Sequence, residues 1–168
     1  MKFYVYSRQA IEAVPAMTDR HLIISIRTPG DPRPVRLRTN ECTRGVLHLQ
    51  FHDLDRIPED HIPLLGSGVP AHLVVDETTL FNEGHAKQML DFVRRYKDDV
   101  GAILVHCDAG WSRSPAVAAA VGKVLFQQDD AMWFKTKTPN MRVYRTILNV
   151  HQAQLDAAAA SSATGGAV

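Results

Sequence analysis

Residues 102–126 read AILVHCDAGWSRSPAVAAAVGKVLF. Ala102–Val105 is an unbroken apolar run of strand length. A run without alternation marks a strand covered on both faces. From about Arg113 to Gln127 the chain is apolar nearly all round, so it predicts a buried helix. Pro115 falls in the first turn of that helix, where a missing N–H is tolerated. Between strand and helix stands a short loop carrying Cys107, Asp108, Ala109, Gly110, Trp111 and Ser112. A central strand, a tight loop and a buried helix predict an α/β domain.

The loop has a chemical consequence. Backbone N–H groups between a strand end and a helix N-terminus converge on one spot, and the helix dipole favours negative charge there. A cysteine at that spot has its thiolate stabilised by the same N–H groups. Arg113 follows Cys107 with five residues between, and its planar fork of donors matches two phosphate oxygens. Gly110 permits a turn that a Cβ would obstruct. Ser112 carries a hydroxyl near the thiol that can assist its departure from a phosphocysteine.

His106-Cys107-Asp108-Ala109-Gly110-Trp111-Ser112-Arg113-Ser114 resembles the phosphate-binding loop of the protein tyrosine phosphatases. The Ser-Arg-Ser ending is similar to that of the dual-specificity branch. The resemblance is strong over residues 102–126 and extends in topology over about 20–155. It implies that Cys107 attacks phosphorus and that Arg113 holds the phosphoryl oxygens. Ser112 then promotes breakdown of the intermediate, and His106 tunes the thiolate. Residues 108–113 form the substrate cradle, and no metal or cofactor takes part. Phosphoinositide phosphatases of the superfamily place Lys inside this loop. Asp108 stands there instead, which disfavours an inositol polyphosphate substrate. Trp111 is expected either to stack on a substrate ring or to plug the core.

The resemblance also implies an Asp upstream as general acid, because the leaving oxygen needs a proton. Residues 47–55 read LHLQFHDLD. Asp53, the first carboxylate past a strand, is preferred; Asp55 and Asp76 stay open. Asp53 precedes Cys107 by 54 positions (107 minus 53), a long separation for the branch, which implies an insertion in residues 56–80. Asn140 in Thr138-Pro139-Asn140 resembles the family's Asn-containing stretch after the loop helix, though a helix cap is the preferred reading.

Outward from the loop, strands are expected at Phe3–Tyr6, His21–Ile26 and Val46–Phe51. A short one is expected at Ala71–Val75. Ser7 is the expected N-cap of a helix over Arg8–Ala13. Ala86, Met89, Leu90 and Val93 recur at helical spacing, so Phe81–Tyr96 is a helix capped by Asn82 or Thr79. Pro139-Asn140 opens a last helix. The fold expected is a single α/β domain over residues 1–156, its central sheet mostly parallel or mixed and flanked by helices. Residues 157–168 form an uncharged Ala/Ser/Gly tail.

Composition narrows the remaining classes. The chain has 168 residues, a net charge of +1 and two cysteines, Cys42 and Cys107. Near-neutrality gives no field for nucleic acid or membrane partners. No apolar run reaches the length of a membrane span, and two thiols suit a cytoplasmic protein. Cys42 is read as an ordinary thiol in preference to a disulfide partner of Cys107. His52-Asp53, with His61, His72 and His85, invites a metal site, but the scatter among prolines disfavours it. Arg27, Arg33, Arg36, Arg38 and Arg44 read as a solvated loop, with a rim for acidic substrates as the alternative. Nothing in the pattern sets an oligomeric state.

The function expected is phosphoric monoester hydrolysis, on a phosphorylated protein or a small phosphate ester. Its rate should fall on both sides of an optimum, as the thiolate protonates at low pH and the acid ionises at high pH. A catalytically weak phosphoprotein-binding module is the alternative. Rhodanese-type sulfur transfer is disfavoured by His106 and by the Ser-Arg-Ser ending.

Overall fold

The structure, a computed structural model, describes residues 1–57 and 75–164. The apolar run forms β4 (Ala102–Cys107), buried along its whole length. Around it stand β1 (Lys2–Ser7), β2 (His21–Arg27) and β3 (Thr43–Gln50). The helices are α1 (Arg8–Ala13), α2 (Glu83–Tyr96), α3 (Arg113–Phe126), α4 (Ala131–Thr136) and α5 (Met141–Thr164). The strands pair in the order β1-β4-β2-β3, every pair parallel. Parallel strands need a crossover, which helices supply between β1 and β2 and between β3 and β4, and the loop of residues 28–42 between β2 and β3.

The pleat splits the core in two, since successive side chains point to opposite faces. Leu22, Ile24, Ile26, Ile103, Val105 and Cys107 lie in the larger core, with α2, α3 and α5. Ile23, Ala102 and Leu104 face the other way, onto Ile11 of α1 and onto Val35 and Leu37 of the β2–β3 loop. Thus the Arg-rich loop covers part of the sheet through its apolar residues, while Arg36 and Arg38 between and beyond them are exposed.

Parallel strands bring their carboxyl ends to one edge, where ligands of open α/β sheets bind. Register sets the details. Ser7 lies beside Cys107, and Ser25 beside His106. The turns after β1, β2, β3 and β4 therefore all meet at the Cys107 end.

Several boundaries have local causes. Ser7 Oγ accepts from the Ala10 N–H at 3.1 Å and starts α1. Asn82, not Thr79, caps α2. Its Oδ1 accepts from the His85 N–H, and its own N–H donates to His85 Nδ1. Gln127, at φ 54°, ends α3 in the left-handed conformation. Helix α4 went unforeseen, because six residues are too few to display a helical stripe. Helix α5 continues through the Ala-rich stretch to Thr164. The strand expected at Ala71–Val75 falls, except for Val75, outside the described residues.

Candidate active site

Cys107 ends β4 with its side chain buried at the rim of the larger core. The Gly110 N–H donates to Cys107 Sγ at 3.2 Å, so the chain has curled back over the sulfur within three residues. Gly110 makes that turn at φ +69°, in the left-handed region. A Cβ there would also lie 2.5 Å from the Ser7 backbone nitrogen and 2.6 Å from the Tyr6 carbonyl carbon. The loop is thus packed directly on the end of β1, and the Arg8 N–H fixes it further by donating to the Asp108 carbonyl at 3.1 Å.

Helix α3 begins at Arg113 with its N-terminus at the loop. Its Ser114 hydroxyl lies 3.1 Å from Cys107 Sγ. Gly110 N–H thus donates to the sulfur, and the Ser114 hydroxyl would donate to it once Cys107 is a thiolate, both favouring an anion there. Ser114 is named in the sequence only as the end of the Ser-Arg-Ser motif; its contact with the sulfur follows from its place in the first turn of the loop helix.

Arg113 is 3% exposed. Its Nη1 donates to the Phe51 carbonyl at 2.8 Å and to Thr28 Oγ1 at 3.2 Å. Its Nη2 donates to Asp108 Oδ2 at 2.6 Å. Its Nε is buried without a hydrogen bond, and Asp53 Oδ2 stands 3.8 Å away. Thr28 Oγ1 and Asp108 Oδ2, 2.7 Å apart, share the Nη1–Nη2 edge, so the Nε side with the second Nη2 N–H is the edge that faces Asp53. Burial pushes the Asp108 carboxyl up, but bonds from Thr28 (2.7 Å) and Arg113 outweigh burial and hold it below the ordinary carboxylate range. Thr28 was not singled out from the sequence. Its signal was its place just after a strand of a parallel sheet.

Asp53 arrives from the turn after β3. Its Oδ1 accepts from Ser112 Oγ at 2.7 Å and from Asn140 Nδ2 at 3.0 Å. Asn140 is also the expected helix cap, its Oδ1 accepting from the Val143 N–H at 3.0 Å. One amide thus joins the start of α5 to the Asp53 turn. The other two acid candidates are engaged elsewhere. Asp55 accepts from the Arg142 N–H at 3.1 Å, at the start of α5. Asp76 folds onto Thr78 and Thr79 of its own turn, and the Thr78 hydroxyl lowers its pKa.

His106 points to the opposite face of the sheet from Cys107. Its Nε2 lies 2.7 Å from Ser25 Oγ. Burial drives its pKa down to about 4, outweighing a contact with the Cys107 backbone that raises it.

No family model matches the sequence, and no curated protein matches it. Solved structures do. One is the human tyrosine phosphatase-like serine/threonine/tyrosine-interacting protein, 15% identical over 91% of this chain and 93% of its own, with a TM-score of 0.55. A mouse putative dual specificity phosphatase complexed with zinc tungstate is 14% identical over 93% and 86%, at 0.54. Human DUSP28 is 13% identical over 92% and 94%, at 0.52. The chain has the dual-specificity phosphatase fold.

The remaining candidate residues take the following places in the structure. Trp111 does not plug the core: it is 51% exposed, with Lys137 Nζ 4.2 Å from its ring centroid. Ala109 is exposed beside it. Cys42 and Cys107 are free thiols at opposite ends of the sheet. Thr43 aligns with His21 and His21 with Ala102, five residues before Cys107. At about 3.3 Å per residue Thr43, next to Cys42, already lies about 16 Å from Cys107 along the strands, beyond disulfide reach. No group of three metal-ligating side chains occurs among the described residues. His85 is used in the α2 cap, and His61 and His72 lie outside the described residues. Of the basic residues expected in a loop, Arg27 instead ends β2 and Arg44 lies in β3, because the strands run further than their apolar runs; Arg33 pairs with Asp31 at 2.8 Å and Arg44 with Asp99 at 2.5 Å. No helix among the described residues is long and apolar enough to cross a membrane.

Proposed function

We propose that this chain is a phosphoric monoester hydrolase of the protein tyrosine and dual-specificity phosphatase type, working through a phosphocysteine. One observation carries the reading. Asp53, from the turn after β3, is joined to Ser112 and Arg113, and the loop that carries both starts at Cys107, the last residue of β4, on the carboxyl edge of the sheet.

Cys107 as thiolate attacks phosphorus in line with the leaving oxygen. Loop N–H groups of residues 108–113 and the Nε–Nη2 edge of Arg113 hold the equatorial oxygens as charge shifts. The buried, unbonded Nε supports this role, because a phosphoryl oxygen would supply its missing acceptor. Asp53, protonated, gives its proton to the leaving oxygen. As carboxylate it then takes a proton from the water that attacks the phosphocysteine. Ser112 donates to the departing sulfur. The substrate is a phosphorylated protein or a small phosphate ester. We place the protein in the cytoplasm on the strength of its free thiols.

The test is hydrolysis of p-nitrophenyl phosphate in EDTA by the full chain and by Cys107→Ser. Turnover that withstands EDTA and is lost in Cys107→Ser supports the reading. Activity that persists in Cys107→Ser, or that EDTA abolishes, overturns it. A second reading, a phosphoprotein-binding module, is favoured by one feature: Asp108 sets a carboxylate 2.6 Å from Arg113 Nη2, a negative charge beside the phosphate edge. Phosphopeptide binding without turnover would select it.

A further inference from the structure

We propose that Lys137, seated on the Trp111 ring at the mouth of the phosphate loop, is a specificity-determining residue that binds a carboxylate flanking the phosphorylated residue of a protein substrate. The inference rests on the phosphatase reading of this loop and deepens it, naming the substrate as an acidic phosphopeptide.

The backbone sets the placement. The segment between α4 and α5 runs beside the loop. Its Thr138 N–H donates to the Trp111 carbonyl at 3.3 Å, and its Asn140 N–H to the Ser112 carbonyl at 3.2 Å. The Asn140 side chain also donates to Asp53, so the segment borders the cradle on the side of the candidate acid. Pro139 and Asn140 are buried, which fixes its course. Trp111 stands two residues before Arg113, so their Cα atoms lie within about 7 Å of each other. Lys137 Nζ in turn lies 4.2 Å from the Trp111 ring centroid. The ring holds a long, flexible side chain in one place, which lowers the entropy lost when that side chain binds an anion.

This cation is uncommitted. Arg113 is paired with Asp108, and Arg8 and Arg33 with Asp31. Among the described residues the partner of Lys137 is the Trp111 ring, not a carboxylate. A ring face satisfies the charge only in part, and an ammonium has three N–H donors to place. Asp53 and Asp108 flank Arg113 and repel a second carboxylate there. The Lys137 side is therefore where an acidic side chain of the substrate gains. An extended peptide advances about 3.3 Å per residue, so a carboxylate one to three positions from the phosphorylated residue comes within reach.

The experiment scans a neutral phosphotyrosine peptide with one Asp, or one Asn, at each of the three positions on either side of the phosphotyrosine. It measures kcat/KM for wild type, Lys137→Met, Lys137→Glu, Trp111→Leu and Lys135→Met, each checked for folding by thermal melting, with Lys137→Gln in reserve. Fluorescence anisotropy of the same peptides on Cys107→Ser, with and without Lys137→Met, reads the preference without turnover. Wild type is expected to favour Asp over Asn at one or more positions by about three- to tenfold, between a solvated ion pair and a charged hydrogen bond. Salt should shrink the preference. Lys137→Met should abolish it, Lys137→Glu should invert it, and Trp111→Leu should reduce it by unseating the ammonium. Lys135→Met should keep it. Equal kcat/KM for Asp and Asn peptides in wild type overturns the carboxylate site, while that turnover upholds the phosphatase reading. A preference that survives in Lys137→Met, or that Lys135→Met removes equally, overturns the assignment to Lys137. A preference intact in Trp111→Leu overturns the role of the ring. Absence of turnover on every peptide and on p-nitrophenyl phosphate by folded wild type overturns the phosphatase reading. Anisotropy then decides the site, which an Asp preference dependent on Lys137 upholds and equal binding overturns.

Discussion

The Asp53 carboxylate accepts a 2.7 Å hydrogen bond from Ser112, a partner 59 positions along the chain and adjacent to the loop arginine. Asn140 donates to the same oxygen at 3.0 Å. Two neutral donors therefore aim one carboxylate at the phosphate loop. Asp55 and Asp76 face the α5 start and a local turn. Asp53→Asn should lower kcat for alkyl phosphates by about 10²–10⁴-fold, the usual worth of a general acid. The loss should shrink for p-nitrophenyl phosphate, whose leaving group needs little protonation. Asp55→Asn and Asp76→Asn should stay within about threefold of wild type for turnover, with Asp76→Asn losing some thermal stability instead. Comparison of the three variants on two leaving groups checks the assignment; equal losses for both leaving groups would count against Asp53 as acid.

Much of this site was legible because one short stretch carries it. The run from Ala102 to Phe126 announces strand, loop and helix, and the cysteine and arginine sit at fixed places inside it. Asp53 was legible as the first carboxylate after a strand, because strand ends collect at the same edge. What escaped was set by pairing rather than by local pattern. Ser25 meets His106 only through the β2–β4 register. Thr28 reaches Arg113 and Asp108 because β2 ends beside β4. Asn140 was legible as a cap, but its other face toward Asp53 depends on how α5 packs against the β3 turn. Helix α4 escaped for a different reason, its brevity.

Gly110 is the most constrained position in the loop. A side chain there meets two obstacles: a φ of +69° and backbone atoms of Tyr6 and Ser7 at 2.5–2.8 Å. Backbone cannot move aside as a flexible side chain can. Gly110→Ala should destabilise the fold by about 3 kcal/mol or more, combining left-handed strain with a steric clash. It should also withdraw the N–H that faces Cys107. Urea unfolding and turnover of the folded fraction check this. Near-wild-type values in both would show that the β1 end yields.

Ser112 sits at the N-cap position of α3 yet makes no capping bond; its hydroxyl goes to Asp53. Ser112→Ala should therefore cost little helix stability and act on chemistry. With Ser112 as donor to the departing sulfur, hydrolysis of the phosphocysteine slows more than its formation. A burst of p-nitrophenol should appear, followed by steady turnover about 10–100-fold slower. Intact mass after acid quench should detect the phosphorylated enzyme. A uniform loss with no burst and no adduct would assign Ser112 to positioning Asp53 instead.

His106 supplies a prediction on pH. Burial lowers its pKa to about 4, while the unfolded chain holds it near 6.5. Between those values the unfolded state binds the proton and the folded state does not. Stability from this group is therefore complete above pH 6.5 and is lost as pH falls toward 4. Between pH 7 and pH 5 the loss from His106 alone should be about 2 kcal/mol. Urea unfolding at the two pH values measures it. His106→Gln can keep a hydrogen bond to Ser25 but cannot titrate, so its stability should depend less on pH by about that amount. The turnover profile separates the two roles of this residue. Were His106 only a core group, His106→Gln would leave the acid limb of kcat/KM in place. A His106 that tunes the thiolate predicts instead that this limb moves, since the neighbouring Cys107 backbone passes directly from the His106 strand position into the phosphate loop.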